Sequence, residues 1–413
     1  MNSSLKKNML WNTVGSVFYL ACQWFLSVVV VRVGSYADAG ILSLAMSITN
    51  IFATIALFNV RNFQVSDSDG EYTNGEYVFH RHLTCIGSLV LCAVFVLANQ
   101  YNALTGASII FYMLVRIVEA YADVYHGIAQ KSWRLDIAGK SFVLRGILLL
   151  GVFTLTHIFF SNIAISLFAV SLTSIISLFL YDHIAVKRIS PFKIKATRLQ
   201  MVKLSVKCLP LLVYGICTNA IVSSARYLIE LYHGEETLGY YATVSTIAVL
   251  VQTFVTLIFT PLIGVFNEAV RTNDIKKLTK LLLGLIAFTA VITLVAMLAI
   301  YLLGDFAMSL LFGEQILPYT YLLYPTVLAS SLMALVWLFG MLLIVIRDFI
   351  TLMCGAILGF IASLTLSICL IPSTVYDGAN ISVIVSLGVI CAIYFVRIII
   401  YIFKNKCNVS KGV

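Results

Sequence analysis

The chain has 413 residues, of which 61% are apolar and only 11% are charged, and its 27 Lys+Arg outnumber 18 Asp+Glu for a net charge of +9. An ordinary soluble domain carries roughly 25% charged residues, and a single soluble core stops growing near ~250–300 residues. So little charge cannot cover a water-facing surface of this size, which excludes a soluble enzyme and makes a bilayer the solvent.

A spanning helix needs about 20 apolar residues. Apolar runs predict helices near 11–33, 41–60, 83–100, 106–129, 141–160 and 162–181, then near 208–229, 238–262, 281–303, 318–345, 350–371 and 379–402. The expected fold is an all-α integral membrane protein of about twelve helices with short loops. Lys6 and Lys7 precede the first run as in a secretion signal, and Tyr19-Leu20-Ala21-Cys22 is a poor lipoprotein box. The run is too long for a signal core, so it is expected to stay as an uncleaved first helix.

The excess of Lys and Arg follows the positive-inside rule. With 1–10, 61–82, 130–140, 182–207, 263–280, 346–349 and 403–413 assigned to the cytoplasm, together with the helix-end residues Arg145 and Arg397, only Arg32, Arg116 and Arg226 fall elsewhere. Both termini are therefore expected in the cytoplasm, and no nucleic-acid partner is needed to explain the charge. Two Gly-containing outer turns, Arg32–Gly40 and Tyr232–Tyr240, recur about 200 residues apart and divide the helices into six plus six. The expected organisation is a first six-helix bundle at 1–181, a basic linker at 182–207 lying on anionic headgroups, and a second bundle at 208–413. Nine cysteines form no CxxC pair and fall in no predicted outer loop, so neither disulfides nor a metal site are expected. There is no HExxH and no phosphate-binding Gly loop, which excludes ATP-driven transport by this chain alone.

An intramembrane charge costs at least ~2.5–3.5 kcal/mol, so its position is informative. The fourth helix carries Arg116, Glu119, Asp123, His126 and Gln130 on one face. That stripe either fixes helix packing through an ion pair or lines a hydrated cavity. Polar faces recur on helix 1 (Asn12, Ser16, Tyr19, Gln23), helix 2 (Ser43, Ser47, Asn50, Thr54), helix 7 (Asn219, Ser223, Arg226, Glu230) and helix 8 (Ser245, Gln252, Thr256, Thr260). A cleft between two halves lined by these faces is the logic of repeat-built transporters. Arginine suits a bidentate grip on phosphate. Arg116, Arg226 and Arg32 are the anion-binding candidates, with snorkelling the alternative for Arg32 and Arg226. Arg61 and Arg145, at inner helix ends, could meet a phosphate from the cytoplasm or serve only as positive-inside anchors.

The segment Arg116–Val124, with Gly127, Gln130, Arg134, Asp136, Gly139 and Arg145, resembles the corresponding stretch of Wzx-type polysaccharide flippases, in the MOP exporter superfamily. Arg61–Asp67, Arg226-Tyr227 followed by Leu238–Tyr241, Leu311–Glu314 and Gly378-Ala379 are similar to that family in the same order. The resemblance implies two six-helix bundles facing each other as a V, with helices 1, 2, 7 and 8 lining a cavity. It implies alternating-access movement of undecaprenyl-diphosphate-linked oligosaccharide across the bacterial cytoplasmic (inner) membrane, for O-antigen or capsule. Arginines would hold the diphosphate, Asn12, Gln23, Asn50, Asn219 and Gln252 would line the cavity, and Glu119 and Asp123 would couple to an H+ or Na+ gradient. No other cofactor is implied. Expected partners are the lipid-linked substrate, membrane lipids and other polysaccharide-assembly proteins, with the chain a monomer. A MATE-like multidrug antiporter is the nearest alternative. A lipid II flippase would usually have fourteen helices, and a polysaccharide polymerase would need a large outer loop, whereas the longest outer connection here is 304–317.

Overall fold

The computed structural model describes residues 3–67 and 70–411, and the side chains of 3–6, 66, 254, 256–258, 260, 261, 263 and 406–411 are outside the described set. The expectations for Thr256, Thr260, Lys6, Lys406, Cys407 and Lys411 therefore lie outside the described residues. Without water in the hydrocarbon core, each backbone N–H and C=O must pair within its own segment, and helices do this. In chain order they are α1 (Ser3–Val33), α2 (Tyr36–Leu57), α3 (Val60–Ser66), α4 (Asn74–Ala98), α5 (Ala103–Lys131), α6 (Leu135–Phe160) and α7 (Ile163–Ser177). A π-helical turn (Leu178–His183) leads into α8 (Ile184–Ile189). Then come α9 (Arg198–Arg271), α10 (Ile275–Phe312), a 3₁₀ segment (Glu314–Leu322), α11 (Leu323–Val345) and α12 (Phe349–Lys411).

Among the described residues ten helical stretches are long and apolar enough to cross a membrane. Two of them, Arg198–Thr253 and Phe349–Asn405, have 56 and 57 residues. At 1.5 Å per residue each measures about 85 Å, more than twice the ~30 Å hydrocarbon core. Each is broken once, at Gly234 (φ 86°, ψ 172°) in α9 and at Val375 (φ 45°, ψ −103°) in α12. Both breaks fall at turns expected from the sequence, so each stretch holds the length of two crossings.

Local chemistry sets the boundaries. Thr73 and Glu76 form a reciprocal capping box that starts α4 at Asn74, nine residues before the apolar run begins at about 83. Ser35 caps α2, Asn102 caps α5, Asn162 caps α7 and Asp274 caps α10 through side-chain acceptors. Residues 61–66, expected in a connection, fall in the short helix α3. α1 and α6 approach closely where Gly15 meets Gly139. A Cβ on Gly139 would sit inside the van der Waals envelope of the Trp11 carbonyl, and one on Gly15 inside that of the Gly139 carbonyl.

The chain forms two compact units, Met1–Leu212 and Val213–Val413. Residues 182–207 belong to the first. Val186 and Leu204 are buried in a cluster with Val60, Tyr77, Val124 and Ile128. Asn74 Nδ2 donates to Ser190 Oγ (3.0 Å), His80 and Ser205 share a hydrogen bond (2.9 Å), and Lys207 is ion-paired to Glu71 (2.5 Å). The segment is helical at 184–189 and again from 198, and non-helical at 190–197.

Candidate functional site

α5 organises the polar interior of the first unit. Its stripe meets three separate groups of partners. In the first, Arg116 Nη1 lies 2.6 Å from Glu119 Oε2, and Arg116 Nη2 donates to Asn50 Oδ1 at 2.5 Å. The same guanidinium sits 5.3 Å above the Tyr112 ring. The other Glu119 oxygen accepts from the Tyr19 hydroxyl and from Gln23 Nε2 (3.3 Å). Predicted residues from α1, α2 and α5 are thereby brought together.

In the second group, Asp123 is held between two guanidiniums, Arg61 at 3.2 Å and Arg81 at 2.9 Å. Arg61 also donates to Gln130 Oε1 (3.0 Å), and Arg81 to the Ala56 carbonyl (2.6 Å). Arg81 is only 1% exposed. From the sequence it counted as a cytoplasmic anchor, because it precedes the apolar run, but the capping box at Thr73 draws it into α4.

The third group lies deepest. Asp182, in the π-helical turn after α7, receives Arg145 Nη2 at 2.9 Å and His126 Nε2 at 3.3 Å. Side-chain exposures are 6% for Arg145 and 1% for Asp182. Arg145 Nη1 also donates to the Val118 carbonyl (3.4 Å). Arg145 thus faces a buried carboxylate of its own unit. Sequence reasoning missed Asp182 as an interior partner; its one signal is an acid directly after a long run free of charged residues. π-Turns of this kind are frequent at functional sites.

Between α3 and α4, outside the membrane-spanning stretches, Asp67 shapes the connection. Burial pushes its carboxyl up. The backbone N–H groups of Glu71 and Tyr72 and the Tyr77 hydroxyl more than offset this, holding it below the usual range.

In the second unit Arg226 on α9 has different company. Among the described residues it forms no ion pair, and its Nε is buried with no hydrogen-bond partner. The buried Tyr241 hydroxyl donates to Asn380 Oδ1 at 3.0 Å, and the Asn380 Nδ2 is buried and unpartnered among the described residues. Of the remaining predicted positions, Asn219 is exposed and Gln252 half-buried. Asn12 Oδ1 is buried without a partner among the described residues, and Arg32 is exposed in the last turn of α1.

No protein-family model matches the sequence. A curated relative, the Capsular polysaccharide biosynthesis protein CapF of Staphylococcus aureus, is 24% identical over 315 residues, covering 75% of this chain and 78% of the relative. An inward-facing MATE family transporter of the MOP superfamily superposes with a TM-score of 0.69 at 13% identity, covering 97% of this chain and 99% of that one. The chain has the MOP transporter fold. The lipid II flippase MurJ, in an inward closed conformation, is similarly alike, with a TM-score of 0.71 at 14% identity over 97% of this chain and 90% of that one. The apolar helices and the shared fold make the chain a multi-pass membrane protein. Within that fold each of the five buried or half-buried arginines described so far is accounted for: four hold carboxylates, and Arg226 holds none among the described residues.

Proposed function

We propose that the protein is a flippase of the Wzx type, carrying undecaprenyl-diphosphate-linked oligosaccharide from the cytoplasmic to the outer leaflet by alternating access, for capsule or a related surface polymer. The observation that carries this reading is Arg226, a guanidinium in an apolar helix with no carboxylate to neutralise it among the described residues. An unmatched cation in an apolar helix suits an anionic ligand, and a guanidinium grips a diphosphate bidentately. Capsular polysaccharide biosynthesis in the CapF relative supports the glycan, and a fold shared with a lipid II flippase supports a lipid carrier. The lipid tail stays in the bilayer while the polar head crosses.

Arg116 in this reading keeps a binding role only by exchanging Glu119 for phosphate. That exchange offers a coupling step. Removing the Glu119 charge strands one guanidinium, whereas removing the Asp123 charge strands two, so Glu119 is the acid we assign to H+ or Na+ coupling and Asp123 the one we assign to holding Arg61 and Arg81. A multidrug antiporter shares the fold, but a cationic drug gains nothing from Arg226. Deleting the protein tests the choice. The glycan reading predicts accumulation of lipid-linked oligosaccharide inside the cell; lost drug resistance without accumulation would favour the antiporter.

A further inference from the structure

The second unit gathers tyrosines where three turns meet. Tyr240 and Tyr241 follow the Gly234 break in α9, Tyr319 lies in the 3₁₀ segment, and Tyr376 directly follows the Val375 break in α12. The Tyr240 and Tyr319 rings stack at 4.4 Å and 24°. Tyr376 meets Tyr319 edge-on at 5.6 Å and lies parallel to Tyr241 at 6.2 Å. Tyr240, Tyr319 and Tyr376 are half-buried, so part of each remains open. Tyr301 on α10, by contrast, is 76% exposed, as an interfacial tyrosine against lipid would be.

Acids gather at the exposed rim of the rings, while the Arg226 guanidinium acts on the buried Tyr241 from within the unit. Glu235, Glu236, Glu314 and Asp377 lie in these turns, and there is no Lys or Arg in 227–270, 281–346 or 348–396. The Tyr240 hydroxyl donates to Glu236 Oε1 at 3.3 Å, Glu236 and Asp377 are exposed, and beneath the rings sits the buried Asn380 amide with its unpartnered Nδ2. Flat, rigid, amphipathic rings with carboxylates at their edge match a pyranose, which presents a C–H face for stacking and hydroxyls for hydrogen bonding. The stacked pair fills its own inner faces, which leaves no box for a quaternary ammonium. The carboxylates repel an anionic sugar.

We propose that the Tyr240–Tyr319–Tyr376 cluster is a carbohydrate platform that takes a sugar ring carrying no negative charge. Only the source of that ring, the head of a lipid-linked glycan, rests on the proposed function. The topology expected from the Lys/Arg distribution puts these turns on the outer side, where a delivered glycan would emerge.

The test is saturation-transfer NMR on the full chain in nanodiscs, with maltotriose and chitotriose as neutral probes, digalacturonic acid as the acidic probe and tetramethylammonium as the cationic one. The neutral probes are expected to bind. Tyr319→Ala should weaken them about three- to tenfold, while Tyr319→Phe and the lipid-facing control Tyr301→Ala leave them unchanged. Should Tyr319→Ala unfold, Glu236→Gln with Asp377→Asn is the second variant, expected to admit digalacturonic acid. No neutral binding by the wild-type chain, binding of tetramethylammonium alone, or equal binding of the acidic probe would overturn the platform. These readouts involve no transport, so failure here leaves the flippase assay standing, and failure of the flippase assay leaves the binding result standing.

Discussion

Replacing Asp182 with Asn keeps the side chain's shape and removes the carboxylate ion-paired to Arg145. Both residues are nearly inaccessible, at 1% and 6% exposure, and the contact is 2.9 Å. Stranding one partner of a buried pair costs about 3–5 kcal/mol. The Asn oxygen still accepts one hydrogen bond, which puts the expected loss near the lower end, roughly a hundredfold in the folding equilibrium. Adding Arg145→Met removes the stranded charge, and an apolar replacement of a buried pair is often neutral. The double variant should therefore recover most of the loss, a coupling that a double-mutant cycle measures directly. Arg134, 48% exposed in its pair with Asp136, is the surface comparison; Arg134→Ala should cost under about 1 kcal/mol. Buried Cys22, Cys85, Cys92, Cys208 and Cys217 give the assay, because a thiol-reactive dye labels them as the fold opens. A melting temperature for Asp182→Asn equal to wild type, or a double variant no better than the single, would refute the reasoning.

Gly139→Ala should destabilise by about 1–3 kcal/mol through overpacking against Trp11, whereas Gly151→Ala, with nothing within 4 Å of the new Cβ, should be neutral or slightly stabilising; thermal melts of the pair decide it. Asp67 has a depressed carboxyl, so its stabilisation is present above the unfolded carboxylate pKa, about 3.9, and is lost as pH falls through the lower folded value. Asp67→Asn should accordingly melt below wild type at pH 7, and the gap should close in acid; a gap unchanged with pH would contradict it. Glu119→Gln should abolish gradient-driven glycan export at normal protein level, and full export in that variant would remove Glu119 from coupling.

Hydropathy carried most of the fold. Helix-length apolar runs have to pair their own backbone in lipid, so their existence and order were readable, including the breaks at Gly234 and Val375. Boundaries were less so, because α4 begins at a capping box in a polar stretch rather than at the first apolar residue. The α5 stripe was visible from its spacing, but its partners were not. Arg145 and Asp182 are 37 residues apart, and no local pattern marks that a π-turn will swing the carboxylate inward. Charge counting alone did not show that Arg81 is paired inside the unit, since a buried ion pair and a headgroup anchor look alike in one dimension. Arg226 stood out in sequence as one of three arginines outside the cytoplasmic set. The structure added that, among the described residues, it has no carboxylate.

The central claim is tested most directly by following undecaprenyl-diphosphate-linked oligosaccharide in cells that make Arg226→Ala at wild-type level. The account predicts that the lipid-linked glycan accumulates on the cytoplasmic side and surface polymer falls, with Arg226→Lys intermediate because a point charge replaces a bidentate grip. Undiminished surface polymer with no accumulated intermediate in the Ala variant would contradict it.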